Sequence, residues 1–223
     1  MATVDSLCGT LRSGNLIPVA RQPEPAGFDS NVRRRGQTFL ATNPVPTLKD
    51  FKPHQYWKWA AKEVYEAYKR VCAYSCMYIP TPAGTIDHFL PKSRRPDRAY
   101  EWDNLRLSLH RMNVYKGDRT DLIDPCSVSP GWFVLDMPSC LVRAGDGLTP
   151  KQKQSVETTI EALRLNNDDS LVQDRCDIML MFAQGDVQLP FLQKRYPFLA
   201  AEVLRQGIQL TANTIFKTPG PLG

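Results

Sequence analysis

Apolar and polar positions along this chain change period several times, and each change marks an element. The stretch "PHQYWKWAAKEVYEAYKRVC" begins just after Lys52 and sets Tyr56, Ala60, Val64 and Ala67 three or four residues apart, with charges between them. That spacing predicts an amphipathic helix. Its stripe of Tyr56, Trp57, Trp59, Tyr65 and Tyr68 reads as core rather than as a platform for stacking bases. The next stretch, "CAYSCMYIP", is short, aromatic and β-prone, and "GTIDHF" follows a Pro-Ala-Gly turn. Together they predict a hairpin ending at Asp87-His88. "FLPKSRRPDRAYE" is a polar loop broken by Pro91 and Pro96, and "WDNLRLSL" reads as a strand or strand-like entry. "LSLHRMNVYKGD" then reads as a short helix closed by Gly117.

Further on, "WFVLDMPSCLVRAGDG" predicts a second hairpin with a Met-Pro-Ser turn. From Thr149 the pattern is helical, with Thr149 as N-cap, Pro150 at the first helical position, and Val156, Ile160 and Leu163 on one face. "DSLVQDRCDIMLMFAQGD" and "LPFLQKRYPFLAAEVLRQGIQL" follow, the latter interrupted at Pro197. Residues 1–50 are rich in Pro, Gly and Asn without sustained periodicity, so they read as an extended arm wrapped on the body or on a partner. The expected organisation is an arm over 1–50, a helix plus the Asp87-His88 core over 51–125, and a hairpin with a C-terminal helical region over 126–223. The expected class is α+β, mainly helical, with a small β-containing insert.

Composition narrows the setting. A chain of 223 residues, 42% of them hydrophobic, can bury a real core. No apolar run approaches the ~20 residues of a membrane span, and the N-terminus lacks the basic and apolar regions of a secretory signal. The expectation is a cytoplasmic protein with no membrane partner, its six cysteines reduced thiols. Net charge is +5, which permits a polyanionic partner without demanding one. Its local clusters are Arg33-Arg34-Arg35, then Lys92, Arg94, Arg95 and Arg98, then Arg111, Lys116 and Arg119. The second and third flank Asp87-His88 on both sides.

Those flanks bear on phosphodiester hydrolysis, which needs an activated water and positive charge around the phosphate. A compact solution uses a histidine base, whose ordinary pKa of ~6.5 suits neutral conditions, and a divalent cation held by hard oxygen ligands. Asp87 is a carboxylate, His88 a base, Asn104 a residue to hold the imidazole or the loop around it. Asn113 offers an amide oxygen, and Lys116, three residues on, offers a grip on phosphate. Taken singly, Asp87 reads equally as a turn carboxylate and Asn104 as a β-turn residue.

"IDHFLPKS", "AYEWDNLRL" and "HRMNVYKGD" in this order resemble the HNH nuclease pattern, the ββα-metal motif, with Asn rather than His as the third letter. "CAYSCMYI", "IDPC", "GWFVLDM" and "TIEALRLN" extend the resemblance over roughly residues 50–166, to the HNH component of Septu-type and retron-associated antiphage systems. The resemblance implies a ββα-metal motif set between an N-terminal helix and a C-terminal helical region, and an endonuclease acting on DNA with Mg²⁺ or Mn²⁺. His88 would activate water, Asp87 and Asn113 would bind one metal that stabilises the leaving 3′ oxygen, and Asn104 would orient the site. Lys92, Arg94, Arg106 and Lys116 would supply charge to the backbone, with Arg106 equally readable as an outward strand residue. It also implies a partner ATPase of the ABC/SMC type, for which the arm and the C-terminal helices are the candidate docking surface. No structural zinc is expected, because Cys72 and Cys76 have the wrong separation and Leu109 and Met112 stand where its other ligands would be. His110 reads as outside the chemistry. A ribonuclease using the same site, and a non-catalytic adaptor that docks an ATPase, are the alternatives.

Overall fold

The computed structural model describes residues 22–80 and 83–208; Cys8, the first part of the arm and the C-terminal tail lie outside the described residues. The first correction concerns the arm. Residues Asp29–Arg33 form a π-helical turn that runs directly into helix α1, Arg34–Thr42. Phe28, Val32 and Phe39 are its buried positions. They recur at helical spacing, but the flanking prolines hid the pattern. Gly36 lies where a Cβ would meet the Tyr100 ring at 2.1 Å, so glycine is required for this helix to sit on that ring.

The next helical stretch is broken rather than continuous. Short 3₁₀ turns at Lys52–His54 and Tyr56–Ala60 precede helix α2, Ala61–Ala67. Phe39, Phe51, Trp57 and Tyr100 form an aromatic cluster, with Trp57 and Tyr100 ring centroids 5.6 Å apart. That cluster ties the N-terminal helices to the loop between the first two strands.

Strand β1, Gly84–His88, pairs antiparallel with β2, Leu105–Leu109, setting Asp87 opposite Arg106 and His88 opposite Leu105. Here the predicted hairpin is corrected. Residues 72–80 do not pair with β1; they close a small loop through a Val71–Tyr78 bridge. That loop runs along β2, with the Ala73 N–H donating to Leu107 O at 2.8 Å. Helix α3, His110–Lys116, follows β2 at once and ends at Gly117, whose φ of +55° is the left-handed region that favours glycine.

A second antiparallel hairpin joins β3, Phe133–Asp136, to β4, Leu141–Ala144. A pair this small has open edges, and side chains cover them. Glu202 Oε2 accepts from Leu135 N–H, while Asn166 accepts from Val142 N–H and donates to Val142 O. Helix α4, Pro150–Ala162, starts with the expected Thr149 cap, completed by Gln152 into a reciprocal capping box. Helices α5 (Asp169–Gln184), α6 (Leu189–Arg195) and α7 (Pro197–Arg205) complete the fold, with the break at Pro197 where the sequence predicts it. Buried residues from Phe28 to Ile208 form one contiguous core. The class is α+β with two small antiparallel hairpins among the described residues. No described helix is long and apolar enough to cross a membrane.

Candidate active site

The end of β1, the loop that follows it and the last turn of α3 enclose a cleft of about 460 Å³. Asp87, His88, Lys92, Asn113 and Lys116 line it, joined by Trp57 from the N-terminal helices. Local structure explains this convergence. Strand β1 delivers Asp87 and His88 at its end, β2 returns the chain alongside, and α3 begins with no intervening loop. Asn113 and Lys116 are one turn apart and therefore reach the same wall.

Asp87 is buried with both oxygens engaged. Lys116 Nζ donates to its Oδ1 at 3.1 Å, and the Tyr74 hydroxyl donates to its Oδ2. The same Lys116 ammonium donates to His88 O at 2.7 Å, locking the backbone of the pair. Burial first, and then the Asp87 charge, push the Tyr74 phenol well up, so it stays a donor.

His88 is oriented from the far side. Its Nε2 lies 2.9 Å from Ala99 O; a carbonyl only accepts, so Nε2 carries the proton and Nδ1 keeps its lone pair. The Trp57 ring stands edge-on to the imidazole, centroids 4.6 Å apart. Burial, then the positive charges of Lys92 and Lys116, push the imidazole down to about 3, with the Ala99 carbonyl acting in the opposite direction. The ring is therefore neutral at neutral pH. Lys92 holds its ammonium 5.5 Å from the Trp57 ring centroid, and burial lowers its pKa as well.

Asn104 does not line the cleft. Its Oδ1 accepts from Leu90 N–H at 2.7 Å, and its Nδ2 donates to Leu90 O and Arg98 O. It clasps both ends of the loop that presents Ala99 O to His88, so of the two holding roles considered, the geometry is that of the loop. Of the four residues expected to meet phosphate, Lys92 lines the cleft, whereas Lys116 is buried and committed to Asp87 and the His88 carbonyl rather than free to grip phosphate. Arg106 is sealed in the core, where its Nη2 donates to both Asp124 oxygens at 2.9 Å and its Nη1 donates to Asp103 O and Leu105 O. Arg94 is exposed and pairs with Asp118 at 2.8 Å, so only its partner reaches the cleft. His110 is exposed and lines a different groove. Cys72 and Cys76 are buried in the core; Cys72 Sγ accepts from Leu109 N–H and burial pushes the Cys76 thiol well up. The sequence alone does not mark the site roles of Tyr74, Trp57 and Ala99. The first two are aromatics in apolar stretches and the third acts through its backbone, so no local signal marks them.

Among the described residues no three His, Cys, Asp or Glu side chains come together so as to hold a metal ion. Asp87 and the Asn113 amide oxygen are hard oxygen donors that could hold a cation in the cleft, whose wall also carries the Asp118 carboxylate. A carboxylate has about four lone-pair sites, so the contacts from Lys116 and Tyr74 leave capacity on Asp87. One carboxylate and one amide suit a cation that keeps most of its waters.

No family model matches the chain. A segment of 90 residues, 40% of the chain, is 31% identical to the Septu protein PtuB of Bacillus thuringiensis. The chain resembles a Septu protein. The matched segment spans about a third of the relative's length, 34%.

Proposed function

We propose that this chain is a metal-dependent HNH endonuclease that hydrolyses DNA phosphodiester bonds, as the effector of a bacterial antiphage complex controlled by a partner ATPase. The observation that carries the reading is the convergence of Asp87, His88, Asn113 and Lys116 on one cleft with the His88 Nδ1 lone pair unprotonated. Similarity to a Septu protein supports the defence setting.

In this reading Asp87 and Asn113 would hold Mg²⁺ or Mn²⁺, which would supply positive charge to the phosphate and the leaving 3′ oxygen. His88 Nδ1 takes the proton of the attacking water, while the Ala99 carbonyl fixes the ring by its other nitrogen. Lys92 faces the cleft to meet phosphate. Lys116 and Tyr74 set the Asp87 carboxylate, and Asn104 holds the loop behind His88. None of these groups reads a base, so intrinsic sequence specificity is weak and control comes from the partner.

The His88→Ala chain, assayed with its ATPase partner and Mg²⁺, is expected to nick plasmid at least about 100-fold more slowly than the parent, the scale of general-base catalysis. Equal rates would overturn the reading. Parallel assays on labelled DNA and RNA decide the substrate, faster RNA cleavage favouring a ribonuclease. Absence of any metal-dependent cleavage by the complex favours the adaptor.

A further inference from the structure

Beside the cleft lies a larger groove of about 800 Å³, open to solvent and lined by Lys62, Lys69, Arg70, Lys194 and Arg195. The rings of Tyr65 and Tyr78 form part of its wall, and Glu66 is its one carboxylate, 3.8 Å from Lys62. The cations come from α2, from the turn after it and from α6, and they converge on a concave surface. Scattered surface lysines do not gather this way, because like charges facing one another across a groove repel unless an anion lies between them.

The turn after α2 sharpens the point. Lys69 and Arg70 both adopt left-handed backbone conformations, φ +51° and +60°, at consecutive non-glycine positions. That is a costly way to end a helix, and it places two adjacent cations on the groove. On the opposite side the Arg195 guanidinium carbon stands 3.8 Å from the Tyr78 ring centroid. A guanidinium stacked on an aromatic ring offers a planar cationic face of the kind on which unpaired bases stack.

One stretch of chain contributes to both the groove and the cleft. Trp57, Ala61 and Tyr65 recur every four residues along Tyr56–Ala67; Trp57 lines the cleft, and Ala61 and Tyr65 line the groove. Tyr65 also touches the start of β1, where a Cβ on Gly84 would meet its hydroxyl at 2.3 Å. From Gly84 to His88 the strand advances roughly 13 Å at ~3.3 Å per residue.

We propose that this groove binds a single DNA strand and leads it to the cleft at His88, with Lys69, Arg70 and Lys194 on its phosphates and Arg195 against a base. The choice of DNA rests on the nuclease reading above. The test measures binding without cleavage, by fluorescence anisotropy of a labelled DNA strand of about 16 nucleotides in EDTA across a salt series. It compares the parent, a Lys69→Gln/Arg70→Gln/Lys194→Gln chain, and an equally neutralised Arg143→Gln/Lys151→Gln/Lys153→Gln chain, each checked for an unchanged melting temperature. Three lost phosphate contacts are expected to reduce the log affinity–log salt slope of the groove chain by about 2, with at least about tenfold weaker binding, and to leave the control within about twofold. An unchanged groove chain, or a control that loses as much, overturns the groove. Tighter binding of the matching RNA through the same residues overturns the assignment to DNA. Failure of the nuclease reading appears in the plasmid assay and leaves anisotropy untouched, so the two are distinguishable.

Discussion

Lys116 and Arg175 are both cations sealed to 1% exposure, and their surroundings differ in kind. Arg175, in α5, donates to Cys140 O at 2.8 Å and to Leu165 O at 2.7 Å, tying the β3–β4 turn to the end of the α4 region. Its partners are backbone carbonyls that nothing entering from solvent replaces. Lys116 donates to the Asp87 carboxylate and to His88 O, and the same carboxylate lines an open cleft. A carboxylate can exchange one cation for another, and a peptide carbonyl in a packed turn has no such alternative. Burial of charge is thus a mark of function only where an exchangeable partner and open space accompany it.

The largest expected effect that sharpens this contrast is on Lys116→Met. Breaking a buried pair leaves Asp87 uncompensated and costs about 3–5 kcal/mol, measured by urea unfolding in EDTA. Added Mg²⁺ is expected to restore part of that loss, raising the melting temperature of the Lys116→Met chain more than that of the parent. Equal responses in the two chains would break the contrast. Arg175→Met comes next. It leaves neutral carbonyls rather than a charge without a partner, a smaller loss of about 1–3 kcal/mol, and Mg²⁺ returns none of it. A magnesium response there would place exchangeable ligands at the structural site as well.

The smallest effect concerns acid. The unfolded His88 imidazole takes a proton near its ordinary 6.5, whereas the folded one does so only near about 3. Between those values the unfolded chain binds more protons, so His88 lowers stability as pH falls and contributes nothing to the pH dependence above that window. The slope is at most about 1.4 kcal/mol per pH unit. Unfolding curves in metal-free buffer at neutral pH and near pH 5 are expected to converge for the parent and His88→Ala chains as the pH drops. Parallel curves would show that the imidazole is not held neutral.

Much of the cleft was legible because its parts are close in sequence. Asp87-His88 end one strand, and Asn113 and Lys116 share one face of the helix that the returning strand feeds directly. The rest depended on contacts that carry no local signature. Tyr74 reaches Asp87 from an apolar stretch, and the atom that orients His88 is the backbone oxygen of Ala99. Arg106 looked available for phosphate because nothing near it in sequence announced that Asp124, 18 residues on, would take it. The helical stretch over Asp29–Thr42 carries a buried stripe of Val32, Gly36 and Phe39 that the prolines on either side mask in the sequence.

By itself the sequence determined the local order: strand, loop, strand, helix, a second hairpin, and the capped helices beyond Thr149. Those features depend on periodicity and on residues such as Thr149, Gly117 and Pro197, whose backbone preferences act within a few positions. Only the tertiary structure decided that β1 pairs with β2 rather than with residues 72–80, because a strand edge offers the same N–H and C=O groups to any neighbour. The same long-range packing decided which cations were sealed against carbonyls, which against a carboxylate, and which were left facing an open groove.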